Sequence, residues 1–362
     1  MKLDIKTASV IVTGVGGIVG QGIIKSLKYN NTLKHRRVNY KIIGLDASPM
    51  SVGLYCVDKG LLLPRSTDAD YIQSLISISR KHNIDAIYVS TDPELDVVYK
   101  NKRPIEMETN SKVLINQPEV VRIARDKWNT YQFLKQGGFP TPKTVLPKDV
   151  NDLIEEYGFP LVVKPREGFG SKLFHVVHDL TQLEVAIAEI QKAGWKPIIQ
   201  EFIEGDESGS EYSTGIVLSN KGKNIISSIT IKKLSKFGQT YKAFIEDNSD
   251  VRMLSERVSS TIGSIGAINI QTKSHNDGHK ILEINPRFSA SCPMRTIAGV
   301  NEPDLVYRDN VLNDEIRVTE YKKIVCMRFF DEMYIDYLTL NKISKHKYIE
   351  GVQPNFPNNL GL

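Results

Sequence analysis

Three polar side chains near residue 285 have the types and spacing of a cation and phosphate site. Residues 281–287 read Ile-Leu-Glu-Ile-Asn-Pro-Arg. In a β-strand, alternation puts Glu283, Asn285 and Arg287 on one face and Leu282 and Ile284 on the other. Mg²⁺ takes oxygen ligands, usually one or two carboxylates together with substrate phosphates. The segment therefore predicts one strand that serves both a divalent cation and a phosphate.

A second polar strand, residues 267–273, precedes the first and predicts a β-hairpin. A three-residue loop, 276–278, closes it with Gly278 in the left-handed conformation. A two-residue Asp-Gly turn would shift the pairing by one and turn Gln271 to the other face. The expected facing pairs are Gln271 with Glu283 and Asn269 with Asn285. The predicted metal ligands are Gln271, Glu283 and Asn285; the alternative is the solvated face of an ordinary amphipathic hairpin.

Length and composition predict a soluble protein of several packed units. The chain has 362 residues, 41% of them hydrophobic and 25% charged, which suits two or three units. The net charge of +5 comes from basic residues spread along the chain, without a basic block. We therefore expect neither nucleic acid nor a membrane as a partner.

The cysteines and the apolar runs bear on location. Cys56, Cys292 and Cys326 form no CxxC pair, which favours a reducing compartment and argues against structural zinc. The apolar runs are short, so we expect neither a signal peptide nor a membrane-spanning segment. The expected location is the cytoplasm.

Apolar runs alternate with helical patterns in the first third of the chain. This order predicts an α/β fold, a doubly wound parallel sheet. The predicted strands are residues 9–13, 41–45, 86–90 and 113–116.

The first of these strands runs into a glycine-rich turn that invites a dinucleotide interpretation. Gly14 and Gly16 fit the first and third positions of the fingerprint, and Asp46 ends the next strand. Val19, however, occupies the sixth position, and Gly20 comes one residue late. The alternative is a tight strand–helix turn that lets the backbone approach a substrate or another segment. Glu94, just after a later strand, either contacts substrate or begins a helix.

The middle of the chain supplies lysines and a glycine-rich loop. Residues 118–136 have the pattern of one helix, with Lys127 in the middle. A buried strand, 161–163, ends at Lys164, and the loop 168–172 follows. Its amide hydrogens are suited to covering phosphate oxygens, although the P-loop spacing is absent.

Residues 197–205 predict a strand that runs into a turn, and another strand begins at Glu211. An extended apolar backbone at Glu201, Phe202 and Ile203 can hydrogen-bond an adenine edge while its side chains stack on the ring. Glu211 could accept hydrogen bonds from ribose hydroxyls.

Taken in this order, these parts resemble the ATP-grasp superfamily over roughly residues 115–300. The similarity is strongest to stand-alone enzymes like the large subunit of carbamoyl phosphate synthetase and to biotin carboxylase. The ending Glu-Ile-Asn-Pro-Arg at 283–287 is among its more specific features. The resemblance implies an α+β second half, with a two-lobed grasp of antiparallel sheets behind the N-terminal parallel sheet. It implies domains at 1–115, 116–310 (with a lid lobe at about 140–205) and a C-terminal extension at 311–362.

The resemblance also implies a role for each site residue. The phosphates of ATP would be held by Lys127 and Lys164 and covered by Gly168, Gly170, Ser171 and Lys172. Adenine would lie against Glu201, Phe202 and Ile203, and ribose against Glu211, for which Glu207 competes because the preceding turn is long. Mg²⁺, for which Mn²⁺ could substitute, would be held by Glu283 and Asn285 with Gln271 close by. The catalytic residues would be Arg287, facing an acyl phosphate, and Lys172.

The implied reaction joins a carboxylate to an amine with hydrolysis of ATP to ADP. A carboxylate takes the γ-phosphoryl group, and an amine then displaces phosphate, so no protein nucleophile is needed. Two alternatives stay open: an enzyme that activates bicarbonate, and an NAD-dependent oxidoreductase that uses the N-terminal sheet. The partners are then ATP and small substrates, with a homodimer left open. Ser289, Ser291 and Arg295 contact the substrate carboxylate or serve packing.

Overall fold

The first unit is a parallel sheet covered by helices on both faces. The computed structural model describes residues 5–168, 172–204, 210–222, 224–236, 239–276, 278–329 and 331–352. The elements of the first unit are β1 (Lys6–Thr13), α1 (Ile18–Thr32), β2 (Val38–Asp46), β3 (Lys59–Leu62), α2 (Tyr71–Lys81), β4 (Ala86–Tyr88), α3 (Asp92–Thr109) and β5 (Lys112–Leu114). The strands are parallel in the order β3-β2-β1-β4-β5.

Strand β1 shows why this sheet is buried on both faces. Val10 and Val12 pack into a core with Ile23 of α1. Ile11 points the other way, into a second core with Leu75 of α2. A short continuous apolar run is therefore the pattern of a strand with helices on both sides.

Two helices connect this unit to the rest: α4 (Pro118–Arg125) and α5 (Lys127–Gln136). The prediction of one continuous helix over 118–136 was wrong, because the backbone at Asp126 is extended. The Asp126 carboxylate accepts hydrogen bonds from the amides of Trp128 and Asn129, which caps α5. It also pairs with Arg166. The break fixes the position of Lys127 at the start of α5.

The next unit is a small antiparallel sheet with two helices. Its elements are β6 (Thr144–Val145), α6 (Val150–Tyr157), β7 (Leu161–Pro165), β8 (His175–Val177), α7 (Leu180–Lys192) and β9 (Pro197–Glu201). The strand order is β6-β9-β7-β8. Leu161 and Val163 face the helices and pack with Leu153 and Ile190.

A larger antiparallel sheet follows. Its elements are β10 (Glu211–Leu218), β11 (Ile225–Lys236), β12 (Gln239–Ile245), α8 (Ser249–Thr261), β13 (Gly266–His275) and β14 (Gly278–Asn285). One face shares the core of the first unit through Ile229 and Ile231. The other face packs Ile216 and Ile270 against Val258 of α8. The large sheet therefore lies between the parallel sheet and α8.

The C-terminal segment returns to both larger sheets. Its elements are α9 (Cys292–Ala298), α10 (Glu302–Tyr307), β15 (Ile324–Met327), α11 (Tyr337–His346) and β16 (Tyr348–Glu350). Strand β15 forms the edge of the large sheet beside β12, and β16 pairs antiparallel with β3. No helix among the described residues is long and apolar enough to cross a bilayer. The predicted fold class, a parallel sheet followed by antiparallel sheets, is confirmed.

Candidate functional site

The β13–β14 hairpin has the predicted register where it carries the polar side chains. Gln271 lies opposite Glu283, and Asn269 lies opposite Asn285. Gln271 Nε2 donates a hydrogen bond to Glu283 Oε2 at 2.9 Å. The amide and the carboxylate therefore share one face of the sheet.

The predicted three-residue loop was nevertheless wrong. His275 pairs with Gly278, which is the register of a two-residue loop, and a bulge between Gln271 and Thr272 then restores the pairing further along. The extra residue of the bulge is Leu282, since Thr272 pairs with Ile281. A bulge places two residues against one, so Leu282 does not point opposite to Glu283 as alternation predicted but lines the same cleft.

That cleft lies between α5, the small sheet and β14, and it brings the two predicted lysines together. Lys127, Lys164 and Glu283 all line it. Lys164 Nζ donates to Gln200 Oε1 at 2.8 Å, and Gln200 is held in turn by Thr144. Residues far apart in the sequence thus line one cleft, which contains two ammonium groups and one carboxylate.

The pKa values of Lys127 and Lys164 are both lower than that of a free lysine. Burial lowers the pKa of Lys164 to about 8, helped by the charge of Lys127 and opposed by Glu283. Burial also lowers the pKa of Lys127, against the opposing charge of Glu283. Two ammonium groups held in a partly dry cleft with one carboxylate form a cradle for a polyanion.

The side chains at the end of the large sheet form a connected polar row. Lys233 Nζ donates to Gln271 Oε1 at 2.8 Å and lies 3.2 Å from Glu211 Oε2. The oxygen of Gln271 thus faces Lys233 and its nitrogen faces Glu283. In this arrangement Gln271 orients the Glu283 carboxylate, and its assignment as a metal ligand stays a prediction.

The predicted adenine segment begins at Glu201, the last residue of β9, next to Gln200 of the cleft. The buried Glu201 accepts from the Lys143 amide at 2.9 Å and from Lys280 Nζ at 2.6 Å. Lys273 Nζ lies 5.5 Å from the ring centre of Phe202. Ile203 is 5% exposed, so its side chain packs inward and does not offer a large surface to a ring.

Part of the predicted phosphate cover lies outside the described residues: Gly170, Ser171 and the competing ribose candidate Glu207. Of the remainder, Gly168 has a φ of 132°, which favours glycine, and its carbonyl oxygen accepts from Lys127 Nζ at 3.4 Å. Lys172 is exposed and follows this stretch directly. The cover assigned to Gly168 and Lys172 stays a prediction.

Arg287 lies at the boundary with the first unit. Its Nε and Nη2 atoms donate to the two carboxylate oxygens of Asp92, at 2.8 and 2.9 Å. Burial alone would raise the pKa of Asp92, but Arg287 and then Arg125 outweigh it and hold that pKa below its usual value. Sequence reasoning missed Asp92, although the segment after β4 had been singled out; the signal was an acid beside the helix-capping Thr91.

The donor set fits a magnesium ion that completes its shell with phosphates. Glu283 supplies a carboxylate and Asn285 an amide oxygen from the same strand. Among the described residues no group of three or more histidine, cysteine or acidic side chains could hold a metal alone. A hard cation that needs few protein ligands suits this site, and a structural metal does not.

The glycine-rich turn of the first unit is held by hydrogen bonds to nearby acidic side chains. Asp46 accepts from the amides of Gly16 at 2.7 Å and Ser48 at 3.1 Å, which occupies the carboxylate that a dinucleotide ribose would need. Glu94 is buried and accepts from Thr13 and Thr91. Burial raises the Glu94 pKa despite these hydrogen bonds. Both acids therefore serve the turn itself.

The suggested acceptor residues also have packing roles. Arg295 is fully buried, pairs with Glu302 at 2.6 Å and donates to Ser289 Oγ at 2.7 Å. Ser291 immediately precedes α9 and is 3% exposed. Their burial favours the packing alternative over substrate contact.

Comparison with known proteins agrees with the fold described above. Residues 124–291 match the ATP-grasp domain, and residues 18–113 match the PylC-like N-terminal domain. A carbamoyl-phosphate synthase of Methanobrevibacter smithii is 29% identical over 263 residues, 69% of each chain. The carbamoyl phosphate synthase large chain of Methanosarcina barkeri is 23% identical over 86% of this chain, which spans only 32% of that protein.

Solved structures share the fold at lower identity. N5-carboxyaminoimidazole synthetase from Staphylococcus aureus, complexed with ADP, has a TM-score of 0.70 at 17% identity, covering 89% of this chain and 82% of that one. Biotin carboxylase from Campylobacter jejuni has a TM-score of 0.65 at 15% identity, covering 83% and 70%. By these matches the chain contains an ATP-grasp domain, with a PylC-like N-terminal domain ahead of it.

Proposed function

We propose that this protein is an ATP-dependent, ADP-forming ligase that joins a carboxylate to an amine through an acyl phosphate. The observation that carries the proposal is the cleft where Lys127 and Lys164 face Glu283. Two cations and one carboxylate, next to a strand that supplies Asn285, suit the triphosphate of MgATP. The structures that share this fold include proteins with bound ADP or ATP.

The proposed chemistry needs positioning and charge stabilisation from the protein. The substrate carboxylate attacks the γ-phosphorus, and ADP leaves; the amine then attacks the acyl carbon, and phosphate and a proton leave. Mg²⁺, held by Glu283 and Asn285, would neutralise charge on the phosphates. Lys127 and Lys164 bind phosphate oxygens, and Arg287 stabilises the acyl phosphate. Closure of the loop containing Gly168 and Lys172 would keep water from the intermediate.

A second candidate has its own support. The proteins with which this chain shares sequence or fold include carbamoyl-phosphate synthases and carboxylases, and one of the solved structures contains bicarbonate. Bicarbonate is then the alternative carboxylate, with phosphate transfer to it from ATP. The cleft would bind MgATP in both reactions, which differ only in the carboxylate that accepts the γ-phosphoryl group.

The test is phosphate release with MgATP across panels of carboxylates and amines, with bicarbonate included in the panel. Glu283→Ala should reduce turnover by about a hundredfold or more, because it removes a charged ligand of the phosphates' cation. Glu119→Ala is the matched control, since that carboxylate is exposed on α4 and, among the described residues, pairs with Arg122 alone. Equal turnover in wild type and Glu283→Ala would refute the metal assignment. Phosphate release that occurs with bicarbonate and with no other carboxylate of the panel would favour the second candidate, the bicarbonate-activating enzyme.

A further inference from the structure

Asp92 is the acid through which the first unit contacts the site. It occupies the first position of α3, directly after the capping residue Thr91. A carboxylate at this place is favoured by the amide groups of the helix N-terminus. The side chain is 7% exposed, so its position is set by packing rather than by solvent.

The ion pair between Asp92 and Arg287 is geometrically specific. The Nε and Nη2 atoms of Arg287 each donate to one oxygen of Asp92, a parallel two-bond arrangement. Nη1 donates to the carbonyl oxygen of Phe288 at 3.1 Å. The guanidinium plane and direction are therefore fixed at three of its five N–H groups.

The remaining N–H groups are those that a substrate anion would need. With one Nη1 N–H on Phe288 as well, and no other hydrogen bond of Arg287 among the described residues, one N–H remains on each of Nη1 and Nη2 for a second oxyanion. Asp92 thus fixes the orientation of Arg287 and leaves N–H groups of the guanidinium for a second anion. A lysine at the same place would lack this second edge.

A second arginine also lies close to the Asp92 carboxylate. Arg125, at the end of α4, lies 3.6 Å from Asp92 and makes two hydrogen bonds to Asp96. It precedes Lys127 by two residues, so the same local structure positions a phosphate-binding lysine. Asp96 contacts Arg125 but has no bond to Arg287 among the described residues, which makes it a natural control.

We propose that Asp92 is a positioning residue: it holds the Arg287 guanidinium so that its free edge receives the phosphate group of the acyl phosphate and of the phosphate product. This inference rests on the proposed function for the identity of the anion. The positioning itself is a property of the ion pair. Through Asp92 the N-terminal domain completes a site whose other residues belong to the ATP-grasp domain.

The test uses the full chain labelled with ¹⁵N-arginine, with the Arg287 Nε–H signal assigned by its loss in Arg287→Lys. We expect this N–H to exchange slowly with water in wild type and in Asp96→Asn, and quickly in Asp92→Asn. Inorganic phosphate, titrated with MgADP present, should move the signal. Its affinity should fall about tenfold or more in Asp92→Asn and be retained in Asp96→Asn. Asp92→Glu should recover part of both effects.

Three results overturn parts of this account separately. Slow exchange and unchanged phosphate affinity in Asp92→Asn would refute the positioning role. Fast exchange of the Arg287 Nε–H in wild type would refute it without any variant, should Asp92→Asn fail to fold. Phosphate that binds wild type without moving the Arg287 signal would refute the anion-binding half of the proposal and the role of Arg287 in the proposed function. Faster exchange of the Arg287 Nε–H in Asp92→Asn would in that case still support the ion pair.

Discussion

Lys164 should make nucleotide affinity depend on pH in a range where free lysine does not titrate. Its pKa in the ligand-free protein is about 8, chiefly because burial disfavours the ammonium form. Phosphate oxygens beside Nζ favour the charged form and raise this pKa on binding. Nucleotide binding therefore takes up a proton above pH 8, and affinity falls as the pH rises through that value.

The magnitude follows from the fraction of Lys164 that is charged before binding. With a pKa of about 8, roughly 90% is charged at pH 7 and roughly 10% at pH 9. If only the ammonium form binds phosphate, the dissociation constant rises about tenfold between pH 7 and pH 9, which corresponds to about 1.4 kcal/mol.

The assay is titration calorimetry with the magnesium complex of a non-hydrolysable ATP analogue at pH 7, 8 and 9. Repeating the pH 9 titration in buffers of different ionisation enthalpy counts the protons taken up, for which we expect close to one. Lys164→Arg keeps its charge at pH 9, so its affinity should change less across the series. Lys148→Gln, outside the cleft, should behave as wild type.

Equal affinity at pH 7 and pH 9 in wild type, with no proton uptake, would refute this reasoning. It would mean that Lys164 is already charged at pH 9 or lies away from the phosphates. A pH dependence that persists unchanged in Lys164→Arg would assign the effect to another group, with Lys127 the first to examine because burial lowers its pKa too.

Three further predictions concern the scaffold of the site. Asp126→Asn should lower the free energy of unfolding at pH 7 by about 1–2 kcal/mol, measured by urea denaturation, because it weakens both the α5 cap and the pair with Arg166. Burial raises the Asp126 pKa, but Arg166 and the cap amides outweigh it and hold that pKa below its usual value, so in wild type this stabilisation should be lost as the pH falls below about 4. Wild type and variant that lose stability in parallel over that range would contradict this. Gly215→Ala should reduce the melting temperature strongly, since an added Cβ would lie 1.9 Å from Glu302 Oε1 and 2.5 Å from Arg295; an unchanged melting temperature would show that this buried pair can move. Gln200→Leu should weaken nucleotide binding by about tenfold, because it removes the hydrogen bond that holds Lys164 in place, and unchanged affinity in calorimetry would show that Lys164 is positioned by packing alone.

Local pattern predicted the polar face of the hairpin but not how the hairpin achieves it. The expected three-residue loop placed Gln271 opposite Glu283, and that pairing is present. The turn was wrong by one residue, and a bulge at Leu282 compensates for it. A bulge needs no special residue type, so period-two reasoning cannot detect it. The Ile281 amide donates to the Pro140 carbonyl at 2.8 Å, a contact between distant segments that supports the bulge.

Two helix starts could have been predicted from their capping residues. Asp126 followed by Lys127 and Trp128 is a cap inside an apolar pattern, and it divides the predicted helix. Helix α11, in the C-terminal extension, was not predicted. Asp336, which caps it by accepting from the Thr339 amide, was the available signal. Both errors came from weighing hydrophobic period above capping chemistry.

The contacts between units were beyond sequence reasoning. Arg287 was singled out from its strand, but its pairing with Asp92 joins residues 195 positions apart. Such pairs depend on how separate units pack, and a single sequence carries no direct record of that packing.

The central claim is that a carboxylate oxygen attacks the γ-phosphorus of ATP. The most direct measurement uses a carboxylate from the phosphate-release panel, bicarbonate included, labelled with ¹⁸O in its carboxyl group. Mass spectrometry then analyses the released phosphate. Transfer through an acyl phosphate predicts one ¹⁸O atom in each phosphate formed from fully labelled substrate. Unlabelled phosphate, or label that comes only from ¹⁸O-water, would contradict the proposed ligase mechanism.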